Sequence, residues 1–332
     1  MKLALFVGTA GHAMWVSEDL GETWMRPYSP AGLYMEARVW AMTSQPAWGS
    51  RIFAGTDRGV YRWHGTTRTW EHIHSPLDGL STYAIAQSPH DPALMLAGTH
   101  PARMFRSRDG GRTWHALSVD LPATCDLIGE TRVTTILFDS LEPHLAWFGV
   151  EIGGVYRTRD AGESWEKVSQ GLVSEDLHAL CVVRENGQRK LFAVTNRGVD
   201  VSRDDGDSWT PLPVDVPRPY FRAMVRRADT DRVLFLTNGD GPPGSTGRLL
   251  RSEDWGTSWQ DVGLPGPLNS TPWCVAVHPA QPELIFTATN LGQLFRIEDG
   301  GDSWVKLKRE FGEVRSLLLR PLETEPTGHA PT

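Results

Sequence analysis

Hydrophobic residues in this chain fall into short runs of about five residues, parted by Gly, Pro, Asp and Ser. A run of that length and composition predicts a β-strand. Between Arg38 and His74 the pattern predicts four strands, at Arg38–Ser44, Arg51–Thr56, Gly59–Trp63 and Trp70–His74. The same four-strand unit recurs along the sequence. Matched tryptophans at 24, 70, 114, 165, 209, 259 and 304 are separated by 46, 44, 51, 44, 50 and 45 residues. A repeat of this period is the signature of a closed array of small sheets. It predicts an all-β, seven-bladed β-propeller of four-stranded antiparallel blades. The chain starts on the second strand of a blade and reaches an unpaired first strand at Glu313–Arg320. N- and C-terminal strands are therefore expected to close the ring in one blade, which removes exposed sheet edges.

Each tryptophan ends a short motif. Six copies read Ser/Thr/Ile-x-Asp-x-Gly-x-Thr/Ser-Trp, beginning with Ser17-Glu18-Asp19-Leu20-Gly21-Glu22-Thr23-Trp24. The copy ending at Trp70 keeps Gly65 and Thr69-Trp70 but has no Asp. Asp can bond nearby N–H groups or the later hydroxyl, and Gly supplies a backbone conformation that a Cβ penalises. The motif resembles the Asp-box, or bacterial neuraminidase repeat, family of β-propellers. The resemblance implies that the box joins the third and fourth strands of each blade, on the side away from the central pocket. Asp19, Asp109, Asp160, Asp204, Asp254 and Asp299 are accordingly expected to be structural. Sialidases of this family have six blades and a Phe/Tyr-Arg-Ile-Pro motif, neither of which is found here. The seven-unit count looks more like propellers of the photosystem II stability factor type.

Length and charge narrow the reading further. The 332 residues suit one seven-bladed ring over 1–321, with 322–332 as a disordered Pro/Thr/Glu-rich tail. Net charge of −7 argues against general nucleic-acid binding. The apolar N-terminus aligns with a blade strand better than with a signal peptide, and the three cysteines lack metal-type spacing. These features lead to an expectation of a cytoplasmic protein without membrane or nucleic-acid partners.

The first strand of each blade lines the channel, so its alternation sorts residues by depth. One parity is small throughout: Ala41, Ala84, Thr135, Ala179, Ala223, Cys274 and Ser316. On the other parity, Met42, Ile85, Ile136, Leu180, Met224, Val275 and Leu317 form a deep apolar layer. Above it lie Trp40, Tyr83, Thr134, His178, Arg222, Trp273 and Arg315, then Arg38, Ser81, Arg132, Asp176, Tyr220, Thr271 and Glu313. An apolar floor with aromatic and cationic walls is the form of a ligand pocket. Arg38, Trp40, Tyr83, Arg132, Tyr220, Arg222, Trp273 and Arg315 are its expected binding residues. Turns after the second strands add Asp57, His100 and Glu151 to the rim. Acid–base work is expected from His178, Glu151, His100 or Asp57.

Converging arginines suggest an anionic small molecule, bound and transformed by hydrolase- or lyase-type chemistry. No cofactor is expected. A divalent metal held by His12, His100, His178 and Glu151 is a lesser possibility, and mutual pairs such as Arg38–Glu36, Arg132–Glu130 and Arg315–Glu313 would give a merely structural channel. The alternative function is a noncatalytic scaffold for a protein partner. The insertion Gly239–Gly247 is expected at the mouth as a rim or lid.

Overall fold

The computed structural model describes residues 2–27, 32–45, 51–126, 129–300 and 303–322. Their strands form seven antiparallel blades in a ring. Blade 1 comprises Val39–Thr43, Ile52–Thr56, Gly59–His64 and Thr69–Ile73. Blades 2 to 6 repeat this order, with first strands at Ser81–Gln87, Arg132–Phe138, Leu177–Glu185, Tyr220–Arg226 and Pro272–Ala276. The closing blade pairs Leu3–Thr9 with both Met14–Ser17 and Val314–Pro321. A bridge between Val16 and Met25 supplies its fourth position. Chain ends meet as expected. Of the expected disordered tail at 322–332, Leu322 is ordered, its N–H donating to the Lys2 carbonyl at 2.9 Å, and 323–332 lie outside the described residues.

The motif turns explain why the hairpins form. At the first, the Ser17 hydroxyl donates to Asp19 (2.8 Å), and the Gly21 N–H donates to Ser17 Oγ (2.7 Å). Thr23 donates both its N–H and its hydroxyl to Asp19, at 2.8 and 2.5 Å. Leu20 and Gly21 take φ of 59° and 99°, the left-handed region that makes the glycine necessary. The same bonds recur around Asp109, Asp160, Asp204 and Asp254.

These bonds favour the carboxylate form. The Thr23 hydroxyl and N–H hold Asp19 down at about 2. Asp109, Asp160 and Asp254 also lie at about 2, because hydroxyl and N–H donors outweigh the desolvation that would raise them. A depressed acid stabilises the fold above its unfolded value, and that contribution is lost as pH falls through the folded value. The melting temperature is therefore expected to fall between about pH 4 and pH 2. A thermal series across that window checks this, and a flat profile would contradict it.

Each motif tryptophan sits in the core between its own blade and the preceding one. Trp114 packs with Phe53 of blade 1, Trp209 with Trp147 of blade 3, and Trp259 with Phe192 of blade 4. Blades also approach closely near the axis. A Cβ on Gly98 would lie 2.3 Å from Val133 Cγ1 of the next blade, and one on Gly55 would lie 2.5 Å from the Thr82 carbonyl.

One feature of the first strands departs from regular alternation. In all seven, pairing with the second strand skips a position. The residue at that skip is Trp40, Tyr83, Thr134, His178, Trp273 or Arg315 in six blades, and the Arg222–Ala223 pair in the seventh. A bulge bends its strand and re-aims the side chain it carries. The mouth is thus ringed by seven bulges.

Candidate functional site

The bulges bring Trp40, Tyr83, Thr134, His178, Arg222, Trp273 and Arg315 around one cavity of about 400 Å³, with Arg132, Glu151 and Tyr220 joining from neighbouring positions. Pro242 also lines it. That residue belongs to the expected rim insertion, which is fastened to blade 6. The Thr271 N–H donates to the Pro243 carbonyl at 2.9 Å, and the Thr271 hydroxyl to the Gly241 carbonyl at 2.7 Å. The insertion is a fixed rim.

One arc of the wall is a continuous stack of rings and guanidinium groups. Arg132 lies over Tyr83 (5.3 Å) and donates to its hydroxyl (3.3 Å). Tyr83 stacks on Trp40 with centroids 4.4 Å apart and planes at 14°. Arg315 sits between Trp40 (5.4 Å) and Trp273 (5.0 Å), and Arg222 lies 3.9 Å over Trp273. Such contacts fix the side chains against one another. They carry a cost, since Trp40 Nε1, Arg222 Nε and Arg315 Nε are buried without an acceptor. Burial, with Arg222 adding repulsion, lowers Arg315 to about 10.

The remaining sector, at blades 3 and 4, is acidic. Glu151, Asp176 and His178 each place one polar atom within 4.8 Å of the others. Glu151 is ion-paired with Arg132. Burial, reinforced by the Glu151 charge, raises Asp176 to about 6, against the opposing pull of Arg222 and Arg132. His178 is buried, and desolvation followed by the Arg222 charge holds it well below its ordinary value. Its Nδ1 meets the Phe221 carbonyl, which can only accept, so Nδ1 carries the proton. The lone pair of Nε2 then faces Asp176 Oδ1 at 3.5 Å. The His178 ring packs edge-on to Tyr220 at 5.2 Å.

Three expected site residues stand outside the cavity lining. Arg38 is exposed, and its backbone N–H donates to Asp57 Oδ1 at 3.0 Å. Asp57 also accepts from the Tyr34 hydroxyl. His100 turns toward Glu130, 4.0 Å away. Arg38 holds the place that Arg132 and Tyr220 hold in their blades, yet it is exposed while those two line the cavity. The metal set of His12, His100, His178 and Glu151 is not brought together, because Asp176 takes the third place beside Glu151 and His178. Arg132 pairs with Glu151 in place of the expected Glu130.

The anion clamp is corrected on the same grounds. Arg38 is absent from the pocket, Arg132 is paired with Glu151, and Arg315 is paired with Glu313. Of the three that line the cavity, Arg222 alone has no carboxylate within ion-pair distance among the described residues. Asp176 is the residue that sequence reasoning passed over. Its place in the outermost layer was legible, but the burial that makes it unusual was not.

No family model matches the chain. It is 24% identical over 339 residues to a xyloglucanase of a Paenibacillus species, covering 84% of this chain and 33% of that protein. It is 25% identical over 175 residues to the photosystem II assembly lipoprotein Ycf48 of Synechococcus sp. strain CC9902, covering 51% of this chain and 49% of that protein. The chain thus spans a third of the xyloglucanase and about half of the assembly protein. Among solved structures, the GH74 enzyme of Niastella koreensis superposes with a TM-score of 0.65 at 20% identity, over 81% of this chain and 45% of the enzyme. Ycf48 bound to a D1 peptide superposes with a TM-score of 0.55 at 19% identity, over 81% of this chain and 80% of that one. At these identities the structural likeness establishes the propeller fold.

Proposed function

We propose that the channel mouth binds a neutral glycan and hydrolyses it, with Asp176 as general acid and Glu151 as its partner carboxylate. The observation that carries this reading is the pair itself. Two carboxylates approach within 4.8 Å, one raised to about 6 by burial and the other held against an arginine. Glycoside hydrolysis uses two acids in different protonation states. A separation of roughly 5 Å suits the retaining scheme and leaves no room for the water that an inverting pair of about 6.5–9.5 Å admits. In that scheme Glu151 attacks the anomeric carbon while Asp176 protonates the departing oxygen. Water then releases the sugar, with Asp176 taking the proton back. Trp40, Tyr83, Tyr220 and Trp273 offer apolar edges to a sugar ring. Largely neutralised arginines suit hydroxyl groups better than a free small anion. The likeness to xyloglucanases supports the substrate class.

One observation favours a second reading, a noncatalytic site for an extended peptide. The match to peptide-bound Ycf48 spans most of both chains, whereas the match to the GH74 enzyme spans less than half of the latter. Release of reducing ends from xyloglucan oligosaccharides separates the two. Wild type should release them and Glu151→Gln should not, while still binding them by calorimetry. Absent release and binding, together with peptide-library binding lost in Arg222→Ala, would transfer the site to the second reading.

A further inference from the structure

A second cluster of coordinating side chains lies on the mouth face of blade 1, apart from the channel. His72 is the penultimate residue of the strand Thr69–Ile73, and His74 follows two residues later. The chain then turns back, with the Asp78 N–H bonded to the Ser75 carbonyl at 3.0 Å. The turn carries Asp78 under both histidines. His72 Nε2 lies 3.1 Å from Asp78 Oδ1, and His74 Nδ1 lies 3.3 Å from Asp78 Oδ2. One ligand atom from each residue lies within 4.8 Å of the others.

These distances have a simple meaning. Ligands about 2.0–2.1 Å from a tetrahedral ion stand roughly 3.3–3.4 Å from each other. The two nitrogen–oxygen separations are close to that edge, each made to a different oxygen of Asp78. His72 is held in place by stacking on Tyr61, with centroids 4.8 Å apart, and its ring lies 4.4 Å from that of His74. His72 Nε2 donates to the Arg58 carbonyl at 3.3 Å, so metal binding there requires that the ring proton move to Nδ1. The nearby Arg58 guanidinium is drawn off over the Tyr34 ring at 4.0 Å, which keeps its charge engaged elsewhere. All three side chains come from a seven-residue segment, so little loop entropy stands against chelation.

We propose that His72, His74 and Asp78 bind one divalent transition-metal ion of the Zn²⁺ class. Two imidazoles and one carboxylate favour Zn²⁺, Ni²⁺ or Cu²⁺ over the oxygen-seeking Mg²⁺ and Ca²⁺, and three ligands leave room for water. Bound there, the ion ties the outer strand of blade 1 and its link to blade 2 against the turn at residues 57–58. It requires neither Glu151 nor His178, and it stands or falls independently of the glycan reading.

The test uses the untagged full-length chain, stripped by a chelator and titrated with Zn²⁺ alone in a competition assay. Co²⁺ serves as a parallel spectroscopic probe. One Zn²⁺ per chain is expected, with a Co²⁺ visible band typical of low coordination number. His74→Ala and Asp78→Asn should each weaken binding at least about tenfold, with the far-UV spectrum unchanged. His74 is the safer variant, because its side chain is 84% exposed and carries none of the fold. His178→Ala should bind Zn²⁺ as wild type does. Absence of saturable binding, or binding that survives His74→Ala, overturns the proposal. Loss of binding in Glu151→Gln or His178→Ala would also overturn it, by placing the ion in the channel.

Discussion

Replacing Asp176 with Asn is expected to stabilise the protein and abolish turnover in the same step. Burial is the first reason that Asp176 is raised to about 6, and the neighbouring Glu151 charge is the second. In the unfolded chain the same group titrates at about 3.9. An acid raised on folding destabilises the native state fully above its folded value, and this penalty disappears as pH falls from about 6 to about 4. At pH 8 the amide should therefore gain on the order of 1–2 kcal/mol, and at pH 4 the gain should vanish. Asp176 Oδ1 accepts no hydrogen bond, so Asn forfeits none there. Asp200, also buried and raised to about 6, contributes with the same sign in both proteins, so their difference isolates Asp176. Catalysis moves the other way, because an amide has no proton to give to the leaving oxygen. The loss should be about 10²–10⁴-fold. Wild-type activity should fall above about pH 6 as the acid ionises. Denaturant midpoints at pH 8 and pH 4, beside oligosaccharide release, measure both arms. Undiminished release in the variant would remove Asp176 from the reaction. An unchanged midpoint at pH 8 would refute the burial argument.

The largest loss of stability is expected from Asp139→Ala. This carboxylate has no solvent exposure. It accepts from the N–H groups of Leu141 and Glu142, both at 2.8 Å. From blade 4 it receives Arg184 Nη2 at 2.8 Å and Arg189 Nε at 2.9 Å. Asp139 follows the first strand of blade 3, so these contacts clasp two adjacent blades. Truncation would leave two mostly buried guanidinium groups and two N–H donors short of their shared acceptor. Breaking a buried pair in this way costs about 3–5 kcal/mol. Urea denaturation provides the measurement. A loss below about 1 kcal/mol would show that Arg184 and Arg189 find other acceptors, such as the Asp205 and Glu142 carboxylates that already contact Arg189. Glycan binding at the distant mouth should persist under conditions where the variant is folded.

Local chemistry made the architecture readable from the chain alone. Ser17, Asp19, Gly21 and Thr23 close their turn with bonds among themselves, and the same residue types close four further turns. Such a motif needs no distant partner, so its spacing gives the blade count directly. Ile85, Leu180 and Met224 were legible as buried residues, but they pack between blades and do not form the floor expected under the cavity. The mouth obeys a different physics. A bulge is decided by how two strands register, and nothing in Trp40, Tyr83 or Arg315 announces the skipped pair. Strict alternation found the bulged residues, but it could not tell that in the layer above them Arg132 and Tyr220 line the cavity and Arg38 does not. Charge at the site was decided later still. Arg132 meets Glu151 only because two strands end together, and Asp176 is raised only because it is buried beside Glu151 of the neighbouring blade. Sequence determined the repeat and the turns, whose causes lie within a few residues. Tertiary structure alone decided which charges are paired and which acid is raised, because both depend on contacts between residues far apart in the chain.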